Sequence, residues 1–184
     1  MKRCVDVLLS LLALTLLSPV LLLTMLAIAW ESGRPIFFKH QRVGLGEQAF
    51  GMFKFRSMVK NAASIGPYHT ADNDPRVTRV GRFIRKTSID ELPQLLNVLR
   101  GEMSLVGPRP YVQVQSKDYS AQDWALRHSI PPGITGLAQA TVRSQGTLEQ
   151  SLALDLQYVR EHGLWMDAKI MMMTLARITG KGSN

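Results

Sequence analysis

The sequence predicts a mostly helical α/β domain with a small β element, set behind a membrane-associating N-terminal segment. Three observations lead there. Between Val7 and Trp30 no residue is charged and leucine dominates. Phe50 to Met58 alternates apolar and polar residues, the period of a half-buried strand. Leu92, Leu95, Leu96 and Leu99 recur at i, i+3, i+4 and i+7, the period of one buried helical face. The expected division is a membrane segment over residues 1–31 and a catalytic body over 32–184.

At 184 residues the chain is one domain of ordinary size. Its formal net charge of +8 and pI near 10.0 select anionic partners: phosphates, anionic lipid or nucleic acid. A single cysteine, Cys4, excludes an internal disulfide. Mean hydropathy is +0.01, and much of the apolar content is N-terminal.

The N-terminal run is long enough to meet the roughly 20 apolar residues that cross a hydrocarbon core. A cleaved leader with Ala27-Ile28-Ala29 as its processing site, a simple spanning helix and a re-entrant hairpin all fit such a run. Its apolar part is longer than a leader's. Ser18-Pro19 interrupts it, and proline removes a helical hydrogen bond. Lys2 and Arg3 precede the run, while Arg34, Lys39 and Arg42 follow it. Positive charge on both flanks favours a hairpin whose two ends share the cytoplasmic face.

Residues 31–60 read as turns and short strands: Gly33-Arg34-Pro35 as a turn, Ile36-Phe37-Phe38 as extended, and Arg42–Gly46 as a glycine loop without a P-loop ending. Lys54 and Arg56 are two apart, so one strand would present them on a common face, toward a site or toward solvent. The polar stretch 61–75 reads as a loop, and its His69, Asp72 and Asp74 as turn residues rather than a metal cluster.

The central stretch, RVTRVGRFIRKTSIDELPQLLNVLRGEMSLVGPRP at 76–110, carries the chemistry. Gly101 is placed to stop the leucine-patterned helix. Ser88 and Glu91 have capping-box spacing, but Pro93 lacks the N–H that such a start needs; a start at Asp90 puts Pro93 within the first turn. From either start Asp90 and Glu91 sit at the positive end of the helix dipole, which favours their ionised forms. Arg76, Arg79, Arg82 and Arg85 lie upstream, and Gly107-Pro108-Arg109-Pro110 presents one guanidinium downstream. Two carboxylates among arginines suit a phosphorylated substrate with a hard divalent ion. A capped helix with a solvated basic flank fits this stretch too.

Val112 to Ser129 reads as one amphipathic helix, 131–136 as a constrained loop, and His128 as structural. Leu152 to Gly180 reads as one or two helices broken near Gly163, with Asp155 and Asp167 as polar candidates. Trp165, Met166, Ile170, Met171, Met173, Leu175 and Ile178, flanked by Lys169, Arg177 and Lys181, fit either core packing or an interfacial helix on lipid.

Together these pieces resemble the bacterial sugar transferases known as monotopic phosphoglycosyl transferases. The resemblance rests on the Ser18-Pro19 break, RPIFFKHQRVGLG at 34–46, FKFRSM at 53–58, the run from Asp74 to Pro110, PGITGLAQ at 132–139, and LDLQYV and LWMDAKI near the end. No piece is decisive alone, but their number and order are specific.

That resemblance implies transfer of a sugar-1-phosphate from a UDP-sugar to polyprenyl (undecaprenyl) phosphate, releasing UMP and starting glycoconjugate assembly. It implies Asp90 as the nucleophile of a two-step reaction through a covalent phosphosugar-aspartyl intermediate, and Glu91 as its partner in holding Mg²⁺. Lys54 and Arg85 would sit in the site, Arg109 and Arg143 would bind anions, and Arg56 would join Lys54. Asp167 matches an acidic position of the family's LDLKI-like motif and would orient Lys54 or the metal. The family fold implies a re-entrant helix broken at Ser-Pro, interfacial amphipathic helices, and a monotopic enzyme on the cytoplasmic face of the bacterial inner membrane. It implies the minimal catalytic form, without further membrane helices. Membrane lipid is a partner, nucleic acid is not, and a homodimer is left open.

Two departures bear on the donor sugar. Ala140-Thr141-Val142-Arg143 stands where the family often reads Asn-Gly-Arg, and Pro131 replaces a residue that is often basic. The rival from another class is a membrane-tethered basic protein binding nucleic acid or anionic lipid without chemistry. With 7% aromatic residues it has few stacking platforms, and it would gain nothing from Asp90 and Glu91.

Overall fold

The computed structural model describes residues 1–65, 74–142 and 146–178. Arg143, His69 and Asp72 lie outside the described residues, as do Lys181 and the side chains of Arg177 and Ile178. The fold is mostly helical with two small sheets.

Helices α1 (Lys2–Leu16) and α2 (Ser18–Ser32) meet at Leu17 with a bend of 62°. The chemistry of the bend is local. Pro19 cannot donate to the Thr15 carbonyl, and the Ser18 hydroxyl donates to it instead at 2.8 Å. No single described helix is long and apolar enough to cross a membrane; the bent pair has the length and composition together.

Polar side chains in the first two turns of α1 fasten it to the body. Arg3 donates to the Val98 and Leu99 carbonyls at the end of a later helix, Lys2 reaches Asp167, and Asp6 accepts from the Ser104 hydroxyl at 2.8 Å. Ile28 of α2 packs with Phe55 and Ile84. Glu31 accepts from the backbone N–H groups of Arg79 and Val80 at 2.8 and 2.9 Å, satisfying two donors that a helix start leaves open.

Strands β1 (Phe37–Val43) and β2 (Ala49–Phe55) form an antiparallel hairpin in which Phe38 opposes Lys54 and His40 opposes Met52. The strand ends at Phe55, three residues short of the alternation in the sequence. Arg56, beyond it, donates to Ser32 O, Ser32 Oγ and Gly33 O, because the last carbonyls of α2 lack helical partners and draw a guanidinium. Helices α3 (Ala62–Ile65) and α4 (Arg79–Lys86) follow; Thr78 caps α4 by accepting from Gly81 N at 2.9 Å.

The leucine-patterned helix is shorter than the sequence suggests. It is α5 (Gln94–Arg100), beginning after Pro93 and closed by Gly101 at φ 85°. Its buried residues are Gln94, Leu95, Asn97 and Val98, while Leu96 is 37% exposed. Moving the start past Pro93 rotates the buried face, and Asn97 occupies it. Asn97 Oδ1 accepts from Phe53 N at 2.9 Å, and Nδ2 donates to Gly51 O at 2.9 Å and Glu102 Oε2 at 2.7 Å, tying α5 to the hairpin.

Two further expectations are corrected. The single helix over 112–129 is a 3-10 turn (Gln113–Asp118) followed by α6 (Ala121–Arg127), capped by Ser120. The constrained loop at 131–136 contains a strand, β4 (Gly133–Thr135), parallel to β3 (Ser104–Val106). Glycine permits this approach: a Cβ on Gly133 would lie 2.0 Å from Gly107 N. Helices α7 (Leu137–Thr141), α8 (Leu148–Glu161) and α9 (Leu164–Ile178) complete the fold, with the break near Gly163 as expected. Ile170 is buried against Val106, Ala140 and Tyr158, whereas Trp165 is 85% and Met172 71% exposed, so α9 has both a core face and an apolar solvent face.

Candidate active site

Asp90 and Glu91 occupy a one-turn 3-10 helix (Ile89–Glu91) between α4 and α5. Ser88 enters it with φ 58° and makes no capping bond, so the capping box of the sequence does not form. The reason is Pro93, which can open a helix but cannot supply the N–H of a turn begun at Ser88.

The two carboxylates part in their electrostatics. Asp90 is 8% exposed. Burial pushes its carboxyl up, Lys54 draws it down, neighbouring Glu91 pushes it up again, and the net direction is upward. This corrects the expectation that a helix dipole favours the ionised form of both. Glu91 goes the other way: burial raises its carboxyl, but Lys54, Arg109 and Arg42 outweigh that and hold it below the usual range. Lys54 Nζ lies 2.7 Å from Glu91 Oε1.

The fold therefore brings Lys54, Arg85 and Arg109 to the carboxylate pair. Arg85 donates through Nε to Ser57 Oγ at 2.8 Å, and its charge acts on Asp90. It does not bring Arg56, which closes α2. Nor does it bring Asp167, which is 5% exposed, accepts from Tyr158 Oη at 2.5 Å and pairs with Lys2 at 2.6 Å. Asp167 orients neither Lys54 nor a metal held at Glu91; it ties α9 to α1.

Arg42 is a site residue that the sequence reading counted only as flanking charge. Its guanidinium bonds His40 Nδ1 at 3.2 Å and its charge draws Glu91 down. Burial, then Arg42 and Lys54, push His40 down to about 4, so its imidazole is neutral at pH 7. The signal was the two-residue spacing of His40 and Arg42 on β1, opposite the strand that carries Lys54. His128 is structural as read: it is buried, with Nδ1 bonded to Trp124 O at 2.7 Å.

Beside the pair opens a cavity of about 770 Å³, within the range of small-molecule sites. Ser88, Glu91 and Arg109 line it together with Tyr111, Gln139, Ser151 and Asp155, over an apolar lining that includes Leu105, Ile134 and Met171. Asp155 is buried and paired with Arg127 at 2.7 Å.

No cluster of three or more metal-ligating side chains occurs among the described residues. Two adjacent carboxylates facing cations fit Mg²⁺ in its usual mode, held by one or two carboxylates together with substrate phosphates.

A family model described as bacterial sugar transferase matches residues 1–181, and the chain belongs to that family. Among similar proteins is an undecaprenyl-phosphate glucose phosphotransferase of Komagataeibacter xylinus, 43% identical over 96% of this chain and 35% of that protein. A UDP-glucose:undecaprenyl-phosphate glucose-1-phosphate transferase of Caulobacter vibrioides is 44% identical over 95% of this chain and 68% of its own length. A UDP-N-acetylgalactosamine-undecaprenyl-phosphate N-acetylgalactosaminephosphotransferase of Aeromonas hydrophila is 40% identical over 99% of this chain and 44% of its own length. The chain thus spans about a third to two thirds of these relatives.

Proposed function

We propose that this protein transfers a sugar-1-phosphate from a UDP-sugar to undecaprenyl phosphate, giving undecaprenyl-diphospho-sugar and UMP at the start of bacterial glycoconjugate assembly. The relatives' names support the reaction class. The observation that carries it to residues is Asp90, buried beside Glu91 and within reach of the Lys54 and Arg85 charges, next to a cavity of nucleotide-sugar size.

In the first step an Asp90 carboxylate oxygen attacks the phosphorus that bears the sugar. The bond from that phosphorus to UMP breaks, and UMP leaves with the bonding pair. In the second step an oxygen of undecaprenyl phosphate attacks the same phosphorus and releases the Asp90 carboxylate. Lys54, Arg85 and Arg109 supply the positive charge that lets a carboxylate approach a diphosphate. Asp90 and Glu91 would hold Mg²⁺, which when bound neutralises diphosphate oxygens.

The membrane reading is a re-entrant hairpin over residues 1–31, with residues 32–184 as the catalytic body on the cytoplasmic face of the inner membrane. Both ends of the hairpin are bonded to the same body, at Lys2, Arg3 and Asp6 on α1 and at Ser32 on α2. Such a hairpin leaves the body and returns to it. Between those ends Leu8, Leu12, Leu16, Leu22, Leu23 and Leu26 are all more than half exposed, a face suited to acyl chains. Trp30 at 92% and Trp165 at 85% exposed are suited to the head-group level.

The test follows UMP release by purified protein in lipid nanoparticles with undecaprenyl phosphate, Mg²⁺ and UDP-glucose, UDP-galactose or UDP-N-acetylgalactosamine. UMP formed with one or two donors, dependent on Mg²⁺ and absent in Asp90→Asn, is the expected result. UMP that survives Asp90→Asn would remove the covalent step, and no UMP from a broad panel would remove the reaction.

A further inference from the structure

Asp90 lies among cations, yet it enters no ion pair among the described residues. Lys54 and Arg85 are the cations whose charges draw its carboxyl down, and Glu91 of the same turn opposes them. Each cation is tied elsewhere: Lys54 Nζ to Glu91 Oε1 at 2.7 Å, and Arg85 Nε to Ser57 Oγ at 2.8 Å. The first tie joins residues that the proposed chemistry already uses. The second ends on Ser57, which that chemistry leaves without a task.

Ser57 is a fixed point. It is 8% exposed and follows Arg56, whose guanidinium is bonded to Ser32 and Gly33 at the end of α2. On its other side Met58 forms an antiparallel bridge with Val77. Its carbonyl accepts from Thr78 N at 3.1 Å, at the cap of α4. Gly81 rests on that carbonyl so closely that a Cβ there would lie 2.0 Å from the oxygen. Arg85 stands four residues further, one turn along the same face of α4. Ser57 thus meets α4 twice, by its carbonyl at Gly81 and by its hydroxyl at Arg85.

Which nitrogen Ser57 takes decides what the arginine can still do. A guanidinium presents its N–H donors in a planar fork. A bond at Nε fixes the plane and leaves Nη1 and Nη2 at the far edge. No other hydrogen bond of Arg85 occurs among the described residues. Such an edge suits two oxygens of one phosphate. An arginine held only by its flexible stem is drawn onto the nearest buried carboxylate, and an Asp90 oxygen spent in an ion pair is lost to phosphorus. Ser57 holds the guanidinium with a neutral oxygen, so the positive charge at Asp90 is kept while the ion pair is not made.

We propose that Ser57 is a positioning residue of the transfer: by holding Arg85 through Nε it keeps the guanidinium off Asp90 and leaves Nη1 and Nη2 for the diphosphate that Asp90 attacks. This rests on the transferase reading above. Ser57 acts only through Arg85 and touches neither the substrate nor the reacting oxygen.

The experiment is a double-mutant cycle on UMP release, with the donor that the wild type accepts. Both kcat and KM are measured for Ser57→Ala, Ser57→Thr, Arg85→Gln and the combined Ser57→Ala and Arg85→Gln variant, each checked for folding by circular dichroism. Arg85 is not among the described residues that line the donor cavity, so the loss is expected in kcat rather than in KM for the donor. Ser57→Ala is expected to lower kcat roughly 10- to 100-fold, the cost of a misplaced charge. Ser57→Thr keeps the hydroxyl and is expected to recover most of that. In the Arg85→Gln background Ser57→Ala is expected to cost nothing further, since no guanidinium is left to aim. Losses that add in full overturn the proposal, because Ser57 would then act on packing alone. Wild-type kcat in Ser57→Ala overturns it too, as does a folded Ser57→Thr no better than Ser57→Ala. If the Ser57→Ala variants unfold, Arg85→Lys decides with Ser57 intact. One ammonium cannot both bond Ser57 and present a pair of donors, so kcat should fall about as far as in Arg85→Gln, and wild-type kcat overturns the proposal. No UMP from the wild type with any donor defeats the transferase reading and this proposal with it, whereas UMP with additive losses defeats this proposal alone.

Discussion

Lys2 Nζ lies 2.6 Å from Asp167 Oδ2, although 165 positions separate them in the chain. Their side chains are 27% and 7% exposed, so the carboxylate is the buried partner. Losing Lys2 strands a buried charge, while losing the Asp167 charge leaves an ammonium that can turn to water. Lys2→Met is therefore expected to destabilise by about 2 kcal/mol and Asp167→Asn by about 1. Thermal unfolding in detergent checks the order; equal losses would contradict it.

In the proposed mechanism Asp90 attacks only when ionised, and burial with Glu91 beside it pushes its carboxyl up. The acid limb of kcat/KM is thus expected above the ordinary carboxylate range, with activity rising as pH rises through it. Among the neighbours Lys54 draws the carboxyl down most, and Arg85 less. Lys54→Met should move the limb to higher pH, and Arg85→Gln in the same direction by less. A limb that moves to lower pH in either variant would refute this assignment.

Asn97 is fully buried and serves Phe53 N, Gly51 O and Glu102 at once. Asn97→Leu keeps the volume but leaves the Phe53 N–H unpaired beneath the hairpin. A loss of about 2–4 kcal/mol is expected by chemical denaturation, with reduced activity because β2 carries Lys54. A neutral result would mean that the hairpin is held elsewhere.

Gly133 has no room for a methyl group, since a Cβ would sit 2.0 Å from Gly107 N and 2.3 Å from Thr135 O. Gly133→Ala is expected to force β3 and β4 apart, to destabilise by about 3 kcal/mol, and to raise KM for the donor by shifting the turn that presents Arg109. Unchanged KM in a folded variant would separate Arg109 from this packing.

No cluster of three or more metal-ligating side chains occurs among the described residues, so in the proposed mechanism Mg²⁺ held by Asp90 and Glu91 would take the rest of its ligands from substrate phosphates and water. Mg²⁺ alone is expected to leave the unfolding midpoint unchanged, and Mg²⁺ with UDP to raise it. EDTA should stop UMP release without unfolding the protein. A large shift with Mg²⁺ alone would indicate a resident ion.

Much was legible in the chain itself because it was local. Ser18-Pro19 fixed the bend, Gly101 ended α5, Gly163 separated α8 from α9, and the charge-free run from Val7 to Trp30 gave the bent apolar helix pair. Asp90 and Glu91 stood out because adjacent carboxylates among arginines are a pattern in one dimension. What the chain could not reveal were the partners. Arg56 and Lys54 are two apart, yet one closes α2 and the other meets Glu91, because a long side chain goes to the nearest unpaired acceptor in space. Asp167 had the residue type of a site ligand and became the anchor of α1, since only packing set Lys2 beside it. The upward push on Asp90 likewise came from burial, which no spacing encodes. Sequence by itself determined the breaks at Ser18-Pro19, Gly101 and Gly163 and singled out the adjacent carboxylates; tertiary structure decided where α5 and β4 form and which charges surround that pair, because electrostatic partnership depends on distance in space and on the water excluded from it.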